Sequence, residues 1–161
     1  MAEKSNELRK EDYFEQSLDT ADASAVKKFV SNFSKYMEGK GLKIHLMAVG
    51  SSTFPMEYRK ENKIDYKDID ILVIADGAEI IGPLESFLEK VKHGTFSKIM
   101  ESQNRNARFI PYGRPNVTIG TKGRPIHLVI HAGEHAPDKA RTLDEKVYLE
   151  QKRNYPFCVL Y

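Results

Sequence analysis

Leu42-Lys43-Ile44-His45-Leu46-Met47-Ala48-Val49-Gly50-Ser51-Ser52 and, beyond a charged stretch, Asp68-Ile69-Asp70-Ile71-Leu72-Val73-Ile74 are the two runs whose reading decides the fold. The first is mainly apolar and ends in small residues, the pattern of a strand that enters a tight turn. Thr53, Pro55 and Glu57 then suit a helix start, because a hydroxyl caps, proline tolerates an early helical position and an acid suits the first turn. Residues 60–67 are polar and charged. The second run reads as a buried strand with acids at its entrance, and Asp76-Gly77 ends it.

Upstream, Val26, Phe29, Val30, Phe33 and Tyr36 recur at helical spacing; Asp22 or Ser24 can cap the start and Gly39 or Gly41 the end. Residues 1–20 form a charged arm or weakly amphipathic helix carrying Leu8, Tyr13, Phe14 and Leu18. Downstream, Ile81, Leu84, Phe87, Leu88 and Val91 predict a helix that ends near Gly94. A weak helix around Phe96, Ile99 and Met100 and a short strand at residues 108–110 follow. Residues 116–121 and 125–131 read as two strands joined by Lys122-Gly123 in a hairpin. Thr142 with Glu145 resembles a capping box for a helix through Lys152, and residues 155–161 are expected to return to the core.

The chain has 161 residues, 40% hydrophobic and 30% charged, the balance of one globular domain covering residues 1–161. A formal charge of +2, with both signs interspersed, is too weak a bias to indicate nucleic acid. The one cysteine, Cys158, excludes an intrachain disulfide and a zinc–cysteine cluster, and so favours a reducing, cytoplasmic setting. No stretch approaches the roughly 20 apolar residues of a membrane span, and no signal-like segment is present, so no membrane role is expected. No internal repeat or low-complexity segment occurs.

Strand side chains alternate, so Asp68 and Asp70 project from one face with their carboxylates close enough to share a cation. Two like charges beside an apolar run are costly unless a cation or base offsets them, and a hard divalent ion such as Mg²⁺ suits carboxylates plus phosphate oxygens. Alone, an Asp-x-Asp pair is also what a solvated strand end displays. The preceding Gly50-Ser51-Ser52 adds specificity: glycine lets backbone approach a ligand closely, and hydroxyls and amides at a helix start hold phosphate. Arg59, Lys60, Lys63 and Lys67, with Arg105, Arg108 and Arg114, are further cations near such a ligand or simply a solvated surface. Tyr58, Tyr66 and Tyr112 are candidates for stacking on a base or for rim packing.

Val49-Gly50-Ser51, a helix-like spacer and Asp68-Ile69-Asp70-Ile71-Leu72 together resemble the Gly-Ser … Asp-x-Asp signature of the DNA polymerase β-like nucleotidyltransferase superfamily, minimal nucleotidyltransferase type. The resemblance covers residues 49–72. It implies an α+β fold with a mixed β-sheet and helices packed mainly on one face. It further implies a triphosphate held at Gly50, Ser51 and Ser52, Mg²⁺ or Mn²⁺ at Asp68 and Asp70, and transfer of a nucleoside monophosphate to a hydroxyl acceptor. Nucleic acid is one such acceptor, and a protein partner is implied by analogy.

The sequence departs from that pattern on the later strand. Ile126, Leu128 and Ile130 form one apolar face and leave His127 and His131 on the other, so His127 stands where a third carboxylate is expected. Three roles are open for His127: a metal or phosphate contact, a base for the incoming hydroxyl, or a structural histidine in a catalytically silent nucleotide-binding or protein-partner module. Imidazole suits Mn²⁺, Zn²⁺ and other transition ions better than Mg²⁺.

Overall fold

In the computed structural model, which describes residues 6–75, 80–93, 116–121, 123–132 and 155–161, strands alternate their side chains between two unequal faces. β1 (Ile44–Val49) and β2 (Ile69–Ala75) pair antiparallel, with Val49 opposite Asp70. β3 (Asn116–Ile119) pairs antiparallel with β4 (Ile126–Ala132) as the expected hairpin. β4 lies parallel to β2, with His127 opposite Asp70, and β5 (Cys158–Val159) closes the far edge antiparallel to β1. The order β3-β4-β2-β1-β5 makes a mixed sheet in an α+β fold.

The two longest described helices cover one face. After α1 (Lys10–Asp12) come α2 (Thr20–Gly39), α3 (Met56–Asn62) and α4 (Ile81–His93), of which α4 lies in the crossover that the parallel β2–β4 pair requires. Val26, Phe29, Phe33 and Met37 line the inner stripe of α2, and Leu84, Phe87 and Leu88 that of α4. They bury Leu46, Ala48, Ile69, Ile71, Val73, Ile126, Leu128 and Ile130 from the sheet. Phe33 is central: its ring stacks on Phe29 at 5.2 Å and meets the edge of Phe87 at 5.0 Å. The opposite face carries a smaller apolar cluster of Met47, Leu72, Ile74 and Phe157, and Asp70 and His127 belong to that side.

Several local expectations shift. The α2 cap is Asp19, one residue before Thr20, and its carboxylate accepts the Asp22 N–H at 2.9 Å; Asp22 itself is fully buried and bonds elsewhere. Gly41 does stop the helix, at φ +72°, and Leu42 N–H reaches back to the Met37 carbonyl. Thr53 does not cap α3. Its Oγ1 donates to the Gly50 carbonyl at 2.6 Å and lies 3.1 Å from the Pro156 carbonyl, and α3 begins after Pro55 without a side-chain cap.

The N-terminal segment is part of the packing. α1 runs into a π-helical turn, Tyr13–Ser17, whose Tyr13 and Ser17 are buried, and Glu7 bridges in parallel to Phe157. The tail returns to the core as expected, with Phe157, Cys158 and Leu160 buried. The expected strand at residues 108–110, the helices around residues 96–100 and 142–152 and the Asp76-Gly77 terminator lie outside the described residues. Among the described residues, no helix is long and apolar enough to cross a membrane.

Phe33→Ala removes a fully buried ring from the α2–α4 seam and is expected to lower the unfolding free energy by about 3–5 kcal/mol, read by urea denaturation. A loss under about 1 kcal/mol would mean that this seam is not the core.

Candidate functional site

Asp70 sits inside β2 on the face away from the helices, Asp68 just before the strand begins, and His127 beside Asp70 in the parallel ladder. One ligand atom from each lies within 4.8 Å of the others. His127 Nδ1 is 3.0 Å from Asp70 Oδ1, and the two side chains retain 28% and 34% of their exposure, so the site is neither sealed nor fully solvated. A carboxylate only accepts, so this bond requires the proton on Nδ1.

Burial raises the Asp68 pKa above the usual carboxylate value, and neighbouring Asp70 raises it further. The hydrogen bond to Asp70 raises the His127 pKa above its ordinary 6.5, against the opposing effect of burial. The Asp70 carboxylate is thus already partnered by the imidazole N–H. Two oxygens and one nitrogen are a donor set that Mn²⁺ or Zn²⁺ accepts readily, while Mg²⁺ prefers oxygen throughout.

The turn after β1 comes directly against this cluster. Gly50 has φ +79°, and a Cβ built on it would lie 2.7 Å from Asp70 Oδ2. Glycine meets both conditions without strain, whereas a larger residue would strain the backbone and push the Asp70 carboxylate aside. A short 3₁₀ turn, Ser51–Thr53, follows. Ser51 is half-buried, and its hydroxyl has no partner among the described residues. Ser52 faces inward: it is buried, and its Oγ lies 3.2 Å from the Tyr13 hydroxyl, which leaves Ser51 as the serine at the surface of the turn.

Arg59 differs from its expected role as a surface cation. It is buried, and its guanidinium donates to the carbonyls of Ser52 (3.3 Å), Phe54 and Ser17 (2.6 Å), fastening the turn from beneath. Burial lowers its pKa. Lys60, Lys63 and Lys67 are exposed. Tyr66 is also buried, not available to a base, whereas Tyr58 is exposed and stacks on Phe54 at 5.0 Å. Arg105, Arg108, Arg114 and Tyr112 lie outside the described residues, and so do the side chain of His131 and the Lys122 of the hairpin turn.

Sequence reading missed one group altogether. Asp22 accepts the Tyr66 hydroxyl at 2.7 Å, the Arg124 backbone N–H at 2.8 Å and Arg124 Nη1 at 3.0 Å. A Cβ at Gly123 would collide with the Asp22 carboxylate. The available signal was an acid inside the apolar stripe of a helix, which needs a buried partner.

In protein free of divalent ions, His127 is expected to titrate above pH 6.5, and Asp70→Asn to lower that midpoint, followed by the imidazole ¹⁵N shifts. Because the folded value is raised, the pairing stabilises the fold fully below pH 6.5 and loses its effect as pH rises through the folded midpoint. An unchanged midpoint in Asp70→Asn would contradict the pairing. Gly50→Ala is expected to destabilise by about 1–3 kcal/mol from its backbone conformation alone, φ +79° and ψ −161°, measured by thermal unfolding.

No protein-family model matches the chain, and no curated protein matches it. Two solved structures do. The Thermotoga maritima CCA-adding enzyme in complex with tRNA is 14% identical, at a TM-score of 0.35 over 74% of this chain and 23% of that one. A CCA-adding enzyme in complex with ATP is 14% identical, at a TM-score of 0.38 over 85% of this chain and 25% of that one. This chain therefore spans about a quarter of the length of those enzymes, and a likeness at that level carries no conclusion about activity.

Proposed function

We propose that this chain is a nucleotidyltransferase-like domain that binds a nucleoside triphosphate at Gly50 and Ser51 and a divalent ion at Asp68, Asp70 and His127, and transfers the nucleoside monophosphate to a hydroxyl acceptor. The observation that carries the reading is the convergence of the three ligand atoms within 4.8 Å, directly beside a glycine turn whose backbone conformation other residues rarely adopt. In the transfer, an acceptor oxygen bonds to the α-phosphorus as the bond to the bridging oxygen breaks. Pyrophosphate leaves, and the hydroxyl proton passes to solvent. A bound ion would supply charge neutralisation on the phosphate oxygens and would favour the ionised form of the attacking hydroxyl.

The protein's own part is placement. Gly50 lets the backbone of the turn come close to the phosphates, and Ser51 presents a hydroxyl. Ser52 supports the turn from inside through Tyr13. In the metal-free protein His127 orients Asp70 through its Nδ1–H contact, and an imidazole nitrogen freed of its proton would join the donor set, which favours Mn²⁺ over Mg²⁺.

One feature favours a second reading. His127 in place of a carboxylate leaves the ion with less negative charge, which suits a module that binds nucleotide without turnover. Transfer of label from α-³²P-NTPs by the natural protein, in Mn²⁺, would exclude that reading; transfer appearing only in His127→Asp would establish it.

For the binding site itself, calorimetric titration of Mn²⁺ and ATP is expected to show an affinity that falls at least about tenfold in the Asp68→Ala, Asp70→Ala double variant. Equal affinity in the two proteins would sink the site.

A further inference from the structure

We infer that Tyr66 is a positioning residue for the candidate metal cluster, clamped between two guanidinium groups that hold the three limbs of the site in one frame; this rests on the metal-binding reading above. Asp68 lies outside β2, so the ladder that fixes Asp70 does not fix it. What anchors the approach to Asp68 is Tyr66, two residues earlier. Its ring is buried, with the Arg124 guanidinium 4.1 Å and the Arg59 guanidinium 4.4 Å from its centroid.

Each guanidinium belongs to a different limb. Arg59 holds the carbonyls of Ser52 and Phe54, and so carries the Gly50–Ser51 turn. Arg124 lies three residues before His127 and donates through Nε to the Tyr66 carbonyl at 2.8 Å. Next to it, the Ile69 N–H donates to the Pro125 carbonyl at 2.9 Å, which locks the start of β2 to the start of β4. Asp22, fully buried at the head of α2, receives both the Tyr66 hydroxyl and Arg124.

The charges explain the ring. Two guanidiniums converge where Asp22 is the one fully buried carboxylate among the described residues, and the electron-rich face of Tyr66 receives the cations where no second acid is buried. Arg124 also reaches Asp19 at 2.9 Å near the surface. Ligand sets tolerate displacements of about half an ångström, so a shift of the Tyr66 frame is felt at Asp68 before it is felt in the core.

The test compares Tyr66→Phe, which keeps the ring and drops the bond to Asp22, with Tyr66→Leu, which removes the ring face. Mn²⁺ affinity by calorimetry is expected to stay near the natural value in Tyr66→Phe and to fall about tenfold or more in Tyr66→Leu, with unfolding still cooperative. The Ile69 amide is expected to exchange about tenfold faster in the leucine variant, while the Leu46 amide, bonded to the Tyr161 carbonyl, keeps its rate. If Tyr66→Leu does not fold, Arg124→Lys replaces it, because it keeps the charge and loses the Nε bond; the same two losses are expected.

Natural Mn²⁺ affinity in Tyr66→Leu overturns the inference, and so does an equal loss in both tyrosine variants. Should the natural protein bind no Mn²⁺, the metal reading fails by itself. The Ile69 amide then decides the frame, and an unchanged exchange rate overturns it.

Discussion

The parallel ladder between β2 and β4 sets the terms for the rest of the molecule. It places Asp70 opposite His127 and, by alternation, turns Ile69, Ile71 and Val73 toward the helices. A slip of one residue would send Asp70 into the core and the isoleucines into water, so burial of that face and the pairing of Asp70 with His127 are enforced by the same register. The antiparallel ladder with β1 adds the other half. Val49 ends opposite Asp70, and the next residue is the glycine whose missing Cβ makes room for the Asp70 carboxylate.

Charge is handled differently at the surface of the site and beneath it. At the cluster, two acids and an imidazole stay partly solvated, and the imidazole N–H meets the Asp70 carboxylate. Below, Arg59 and Asp22 are withdrawn from water, a step that costs several kcal/mol for each ion unless hydrogen bonds offset it. Arg59 meets three backbone carbonyls and Asp22 meets Arg124 and Tyr66. Directional bonds of this kind fix angles as well as distances, which apolar packing over the same contacts does less well.

Much of this was legible in residue order. The helical stripe of Val26, Phe29 and Phe33, the alternation about Asp70, the hairpin before β4 and the place of His127 on the polar face all follow from periods of 3.6 and 2. Local chemistry misled at the joints. Asp22 looks like a cap because acids at helix starts usually are, but Asp19 caps α2 and Asp22 turns inward to Arg124. Arg59 reads from sequence as a surface cation and Tyr66 as an aromatic for stacking or packing. Their burial depends on partners far away in sequence, Ser17 and Arg124, which no local pattern announces.

The turn at Gly50 is finished by residues from both ends of the described chain. Tyr13 and Ser17 hold it from one direction, and Thr53 reaches Pro156 from the other, while Phe157 is bonded to Asn6 and Leu8. The Thr53–Pro156 contact spans 103 residues, more than any strand pair of the central ladder, and closing a loop of that size comes late because entropy must be given up before any bond compensates it. The central strands can therefore pair before the turn has its final shape. A chain with its central strands paired and its tail still undocked would hold the Asp70–His127 ladder without the finished Gly50 turn.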